Sequence, residues 1–440
     1  MKCLIIASGN GSQLQKKDDT NHLIPILGVP LIERVIRSAI EAGADDFYVV
    51  TGYKSERISA FLGHLAGHLG VPITAIFHEN LEKENDLLLL KAREYLREPF
   101  LLLMADHLFD PSIVRELEKI PLADGEIILG VDGDTQNSPV NIENSIRVST
   151  GNGKIRDIGK DLTDFNGIDT GVFLCTPGIF AALERSTEEN GEPTLSGVVK
   201  TLVGDACARA VDISGHFWID VADPSAFKRA ENALMATLRG KPDEGPVFRY
   251  FYRPLSGMIS RRLVNYKITP NQISVFSFLC SILAAGLFAL GGYPALLAGG
   301  LMAQFAMVID CCDGAVARLK FQISQYGGWF DAVLDRYADA FLLFGLMWHA
   351  YAVKTEGYIL FTGFFAIIGS FVLSYTADKY DSLMRDRIRR SKEFRVGREL
   401  RVFLIFLGAI FNQVFLTLIV IAIVMNIEII RRIIICRDNE

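Results

Sequence analysis

At 440 residues the chain is too long for one ordinary domain, and its 50% hydrophobic content argues against a wholly polar or disordered protein and points to a membrane part. The formal net charge of −6 argues against a general nucleic-acid binder, and seven cysteines without a CxxC pair argue against a disulfide framework or a zinc site. The opening Met1-Lys2-Cys3-Leu4-Ile5-Ile6-Ala7 is too short an apolar run for a signal peptide, so the first domain is expected to stay in the cytoplasm.

Residues 2 to 7 read as a buried strand running into Ser8-Gly9-Asn10-Gly11-Ser12, a glycine turn able to wrap phosphates with backbone N–H groups. A helix pattern follows over Leu31 to Glu41, a strand over Asp46 to Thr51, and a helix from Ser55. A strand near Ile73 to Phe77, a helix near Asn85 to Leu96 and a strand over Phe100 to Ala105 continue the alternation. Strands interleaved with helices predict a parallel α/β sheet of Rossmann-like type, whose ligands bind at the carboxyl ends of the strands. Gly9, Gly11 and Asp106 fall there, although Asp106 could equally cap the turn after its strand.

A helix over Ala226 to Arg239 closes this domain, assigned to residues 1–239, and Gly240 to Pro246 is a breaker-rich linker. Val247 to Val264 mixes Phe248, Tyr250, Phe251 and Tyr252 with Arg249, Arg253, Arg261 and Arg262. That blend suits either an amphipathic helix lying on an anionic leaflet or a helix packed between domains. Residues 240–268 are assigned to this connection and 269–440 to a membrane domain. Apolar segments near 272–291, 294–316, 327–352, 357–381, 399–412 and 413–434 predict an all-α bundle of six spans. Lysine and arginine cluster after the second and fourth, which predicts a multi-pass protein of the cell membrane with both termini and the active site cytoplasmic.

Asp310 and Asp313 are three apart, and Asp331 and Asp335 are four apart, so each pair projects from one helix face and the two pairs could converge on a hard cation. Carboxylates in apolar helices could also serve an ion path or a membrane-tethered binding module. Their place at one end of the spans and the lack of an internal repeat weigh against transport.

Two resemblances sharpen this reading. Residues 4–12, Pro25 to Arg34, Asp106 and Trp218-Ile219-Asp220 resemble the sugar-phosphate nucleotidyltransferases. That resemblance implies metal-binding roles for Asp106 and Asp220 and a sugar-phosphate side formed by Lys160 with Gly167 to Gly171. Gln13 and Ile24 stand where that family carries an arginine and a lysine, so the expectation is a retained fold with lost or diminished nucleotidyl transfer.

In the second half, Asp310-x-x-Asp313-Gly314-x-x-Ala317-Arg318, eight residues, then Gly327-x-x-x-Asp331-x-x-x-Asp335 is identified as the signature of the CDP-alcohol phosphotransferases. The resemblance implies a dimeric six-helix enzyme that passes an alcohol phosphate from a CDP-alcohol to an acceptor hydroxyl and releases CMP. It implies two divalent cations, Mg2+ or Mn2+, on Asp310, Asp313, Asp331 and Asp335, with Asp335 as the base. CDP contacts are expected at Gly314, Ala317, Arg318 and Gly327, where close helix packing is the alternative for Gly314.

The basic tract is explained by topology for most of its members, while Arg395, Arg398 and Arg401, with Arg387 and Lys392, are candidates for an acceptor phosphate. The fusion resembles the archaeal bifunctional inositol-1-phosphate cytidylyltransferase and di-myo-inositol phosphate phosphate synthases. CDP-inositol or CDP-glycerol is the expected donor and inositol 1-phosphate or another polar phosphate the acceptor. Phospholipid synthesis from CDP-diacylglycerol and an active bifunctional enzyme remain alternatives.

Overall fold

The computed structural model describes residues 1–7, 21–51, 55–77, 87–135, 145–190, 194–221, 223–238, 246–384 and 397–437. It divides into two compact units, Met1–Ala233 and Leu234–Glu440.

In the first unit the strands are β1 (Lys2–Ala7), β2 (Pro25–Ile26), β3 (Val29–Pro30), β4 (Asp46–Thr51), β5 (Ile73–Phe77), β6 (Phe100–Met104), β7 (His107–Phe109), β8 (Ile127–Asp132), β9 (Arg147–Gly151), β10 (Lys154–Gly159), β11 (Gly167–Cys175), β12 (Ala208–Asp212) and β13 (Trp218–Asp220). The helices are α1 (Leu31–Glu41), α2 (Ser55–Leu69), α3 (Leu87–Ala92), α4 (Pro111–Glu118), α5 (Gly178–Asn190), α6 (Leu195–Gly204) and α7 (Pro224–Thr237). Their apolar stripes cover the sheet: α1 buries Leu31, Ile32, Val35, Ile36 and Ala39 on one face, and Phe180 of α5 stacks on Phe100 of β6 at 5.8 Å.

The sheet runs β5-β4-β1-β6-β11-β8-β12-β10-β9, parallel from β5 to β6, where Ile5 pairs with Val49 on one side and Leu103 on the other. It is not the open Rossmann-like sheet expected. β9 also pairs with β11, so β11, β8, β12, β10 and β9 close into a five-stranded barrel. β11 makes this possible. It is nine residues long and buried throughout, and its pairing with β8 shifts register between Asp169 and Phe173, where Gly171 adopts φ +71°. The irregularity bends the strand, so Val172 to Cys175 continue the main sheet through β6 while Gly167 and Ile168 belong to the barrel.

The second unit takes in the last residues of α7 and continues with a π-helical turn over Phe248–Tyr252 that runs into α8 (Arg253–Leu263). Tyr250 and Met258 are exposed, whereas Tyr252 is buried and donates its hydroxyl to Gln304 Oε1 at 2.7 Å. Then come α9 (Pro270–Ala289), α10 (Tyr293–Leu319), α11 (Gln325–Val353), α12 (Gly357–Tyr375), α13 (Ala377–Leu383), α14 (Arg398–Ile410) and α15 (Val414–Arg437).

Among the described residues four helices, α9, α10, α12 and α15, are long and apolar enough to cross a membrane, which corrects the six-span bundle. α14 has 13 residues, and at about 1.5 Å per residue it falls well short of a hydrocarbon core of about 30 Å. α11 has the length but not the apolarity, because Asp331, Asp335, Arg336 and Asp339 interrupt it. The assignment of both termini and the active site to the cytoplasmic side rested on alternating six crossings and falls with them. A multi-pass membrane region of four candidate helices stands in its place.

Candidate active sites

The aspartate motif is built where α9, α10 and α11 meet. α10 carries Asp310 and Asp313, and α11 carries Asp331 and Asp335 one turn apart. A capping box starts α9: Thr269 Oγ1 accepts from Gln272 N–H at 3.3 Å, Gln272 Oε1 accepts from Thr269 N–H at 3.0 Å, and Pro270 opens the first turn. This fixes the neighbouring Asn271 at the rim of a pocket of about 210 Å³. The pocket is also lined by Asp313, Gly314, Ala317, Arg318, Gly327 and Asp331.

Asp310, Asp313 and Asp331 each place one carboxylate oxygen within 4.8 Å of the others. Asp331 Oδ1 is buried with no hydrogen-bond partner among the described residues. Three converging hard-oxygen donors, one unsatisfied, fit a divalent cation of the magnesium type. Asp335 lies outside that trio: Arg398 Nη1 donates to Asp335 Oδ1 and to Asp310 Oδ2, both at 2.5 Å.

The spacing of the motif did not reveal its supports. Ser274 and Ser277 of α9 donate to Asp313 Oδ2 at 2.5 Å and Asp310 Oδ1 at 3.0 Å. Asp339, one turn beyond Asp335, accepts from Arg398 Nε at 3.1 Å and from Arg401 Nη2. Arg398 and Arg401 therefore already carry carboxylate partners, while Arg387, Lys392 and Arg395 lie outside the described residues. Asp339→Asn would leave Arg401, 2% exposed, without its counter-charge. Breaking a buried pair in this way costs about 3–5 kcal/mol, so thermal unfolding of this variant in detergent is expected several degrees below wild type.

The two motif glycines of the pocket have different reasons. A Cβ on Gly327 would sit 2.9 Å from Ser324 Oγ, which caps α11 by accepting from Gly327 N–H at 2.9 Å. Among the described residues a Cβ on Gly314 would meet only Arg318, at 3.5 Å, so none of the described helices demands glycine there. By contrast a Cβ on Gly345 would lie 2.6 Å from the Ala285 carbonyl oxygen, which is the close packing of α11 on α9. Gly314→Val is therefore expected to leave thermal stability near wild type and to raise KM for a CDP-alcohol about tenfold, the mark of lost binding. Gly345→Val is expected to lower stability instead. Paired melting curves and steady-state kinetics separate the two.

In the first unit a second cluster forms at the ends of short strands. β7 and β13 pair so that Asp220 faces His107, and Val221 N–H donates to the Asp106 carbonyl at 3.0 Å. Trp218 Nε1 donates to Asp132 Oδ2 at 2.8 Å and stacks on His107, which anchors β13. Asp106, His107 and Asp220 each offer a ligand atom within 4.8 Å of the others, and Asp220 Oδ1 is buried without a partner among the described residues. The two carboxylates, Asp106 and Asp220, fit a divalent cation.

His107 Nδ1 lies 2.9 Å from Asp106 Oδ1. Burial acts to lower the imidazole, but the charges of Asp220 and Asp106 and the Asp106 hydrogen bond prevail and lift it to about 9. For Asp106, burial acts upward, and the hydrogen bond and charge of His107 bring the carboxyl down to about 2. Burial raises Asp169 to about 6, against the Gly171 N–H that donates to it. A cleft of about 950 Å³ opens here, lined by His107, Lys160, Asp169, Lys200, Trp218 and Asp220 among others. Gly9, Gly11 and Gln13 lie outside the described residues, and Ile24 accepts from Leu31 N–H through its carbonyl at 3.1 Å.

The profile of the CDP-alcohol phosphatidyltransferase family matches residues 267–431. The "Bifunctional IPC transferase and DIPP synthase" of Aquifex aeolicus is 30% identical over 434 residues, covering 97% of this chain and 96% of its own. The Archaetidylinositol phosphate synthase of Pyrococcus horikoshii is 32% identical over 179 residues, 40% of this chain and 87% of its own. Among solved structures, the inositol-1-phosphate CTP transferase from T. maritima aligns with 52% of this chain and 94% of its own, at 21% identity and a TM-score of 0.46.

Proposed function

The chain belongs to the family of bifunctional IPC transferases and DIPP synthases, and from that premise we propose that it both makes and consumes its own CDP-alcohol. It is a transferase of the CDP-alcohol phosphotransferase type. The observation that carries the two-step reading is a separate carboxylate cluster in each unit, each with a buried, unsatisfied aspartate oxygen beside a pocket. A scaffold would have no use for the first. The family resemblance, with inositol in the name of a relative such as the Archaetidylinositol phosphate synthase, makes CDP-inositol the favoured donor and inositol 1-phosphate the favoured acceptor.

In the first unit a phosphate oxygen of the phosphorylated alcohol attacks the α-phosphorus of CTP, and pyrophosphate departs. Lys160 faces the alcohol's phosphate. In the second unit the acceptor hydroxyl attacks the β-phosphorus of the CDP-alcohol, the phosphoanhydride breaks, and CMP leaves. Asp335 accepts the hydroxyl proton, and Arg398 holds the Asp335 carboxylate toward Asp310. Gly314 leaves room for the nucleotide against α10, and Arg318, exposed at the same pocket, contacts its phosphate or ribose. Of the five cations expected to bind the acceptor phosphate, Arg398 and Arg401 are the described ones, and each would meet that phosphate while also paired with carboxylates. Magnesium ions on Asp310, Asp313 and Asp331, and on Asp106 and Asp220, would screen the charge of the departing groups. A homodimer is the assembly carried over from the family resemblance.

The test is a substrate panel. Purified chain with Mg2+ is given CDP-inositol, CDP-glycerol or CDP-diacylglycerol with phosphorylated and free acceptors, and products are identified by mass. CMP with a water-soluble phosphodiester is expected from CDP-inositol and inositol 1-phosphate. Product confined to extractable lipid would establish the phospholipid reading instead, and no turnover with any member would leave only a binding role.

A further inference from the structure

Among the described residues four carboxylates, Asp157, Asp161, Asp169 and Asp220, line the first unit's cleft, and the lysines in that lining are Lys160 and Lys200. A dianionic phosphate ester entering such a cleft needs cations, and the family resemblance supplies only Lys160. Lys200 arrives from a different element, α6, and reaches over the end of β10: its Nζ lies 3.6 Å from where a Cβ on Gly159 would stand. Gly159 directly precedes Lys160, whose charge acts on Asp220. Asp157 Oδ1 is 3.7 Å from Lys200 Nζ, within ion-pair range but beyond a hydrogen bond, and both side chains are about half exposed. The ammonium is thus tethered over the cleft without being consumed by its partner, since an exposed pair of this kind is weak.

We propose that Lys200 is the second phosphate-binding residue for the phosphorylated alcohol in this cleft, acting with Lys160 to determine selection of a phosphomonoester over the free alcohol. The proposal rests on the reading of the first unit as a nucleotidyltransferase. Asp161 and Asp169 on the same lining offer carboxylate acceptors to hydroxyls, which suits a polyol. Neither lysine takes part in bond making; each lowers the cost of placing the dianion beside the triphosphate.

Two measurements on the full-length chain in detergent test this. In the first, lysines are acylated with a limiting amine reagent and read by peptide mass spectrometry, with inositol 1-phosphate, with inositol or with neither. Labelling of Lys200 and Lys160 is expected to slow at least about threefold with the phosphate ester and not with inositol, because a charge-assisted contact covers the amine. Lys154, exposed at the start of β10, serves as the control and should not change. In the second, Lys200→Met is expected to raise KM for inositol 1-phosphate about tenfold while kcat and KM for CTP stay within about twofold, and Lys200→Arg recovers most of the loss.

Protection of Lys160 without Lys200 overturns the role of Lys200, as does a KM change confined to CTP. Protection of neither overturns the cleft as a phosphate-ester site. A wild-type chain that releases no pyrophosphate yet protects both lysines contradicts the nucleotidyltransferase reading while upholding the anion subsite, so the two failures are distinguishable.

Discussion

Asp335→Asn is expected to lower CMP release from CDP-inositol and inositol 1-phosphate by about 10³-fold, within the range of a lost general base. The substitution is nearly isosteric, and the amide oxygen can still accept from Arg398 Nη1, which bridges Asp335 and Asp310 at 2.5 Å in the wild type. Asp310 and Asp313 keep their supports, since Ser277 and Ser274 donate to them from α9. What disappears is a carboxylate able to take the acceptor's proton. Elution and thermal unfolding should therefore match wild type while kcat collapses. Normal metal-dependent CMP release from this variant would remove Asp335 from the chemistry.

Asp106→Asn is expected to cut pyrophosphate release from CTP and inositol 1-phosphate by about 10²–10³-fold, the scale seen when charge stabilisation of a departing anion is lost. The same variant should release CMP at the wild-type rate when CDP-inositol is supplied. The asymmetry follows because each unit carries its own carboxylate cluster. Asp106 also binds His107 at 2.9 Å, so the substitution weakens the charge that holds the imidazole up near 9. Equal loss of both reactions would mean that Asp106 matters for folding, and loss of neither would make the first unit a scaffold.

The parts of both sites legible in the sequence are those set by local periodicity. Asp310 with Asp313, and Asp331 with Asp335, share helix faces because a helix repeats every 3.6 residues, and α10 and α11 bring them to one place. Long-range contacts were less visible. Ser274, Ser277 and Ser281, spaced three and four apart in an apolar helix, form a polar stripe that signals a buried partner, and Asp339 extends the Asp331 and Asp335 ladder by one more turn. His107 sits beside Asp106 and gains its meaning only through the pairing of β7 with β13.

The barrel closes through β9 on β11, a contact that depends on the bend at Gly171 and has no local periodic signature. The number of membrane helices is not legible from apolar content alone. Four charged residues interrupt 327–352, and α14 is only 13 residues long.

The central claim is that one chain makes a CDP-alcohol and then consumes it. The most direct measurement supplies purified wild-type chain with CTP, Mg2+ and isotopically labelled inositol 1-phosphate alone, follows pyrophosphate and CMP together, and weighs the product. The prediction is that CMP follows pyrophosphate after a lag, that the two reach equal amounts, and that a water-soluble phosphodiester carries label from two inositol units. Pyrophosphate without CMP, or neither without added CDP-inositol, would contradict it.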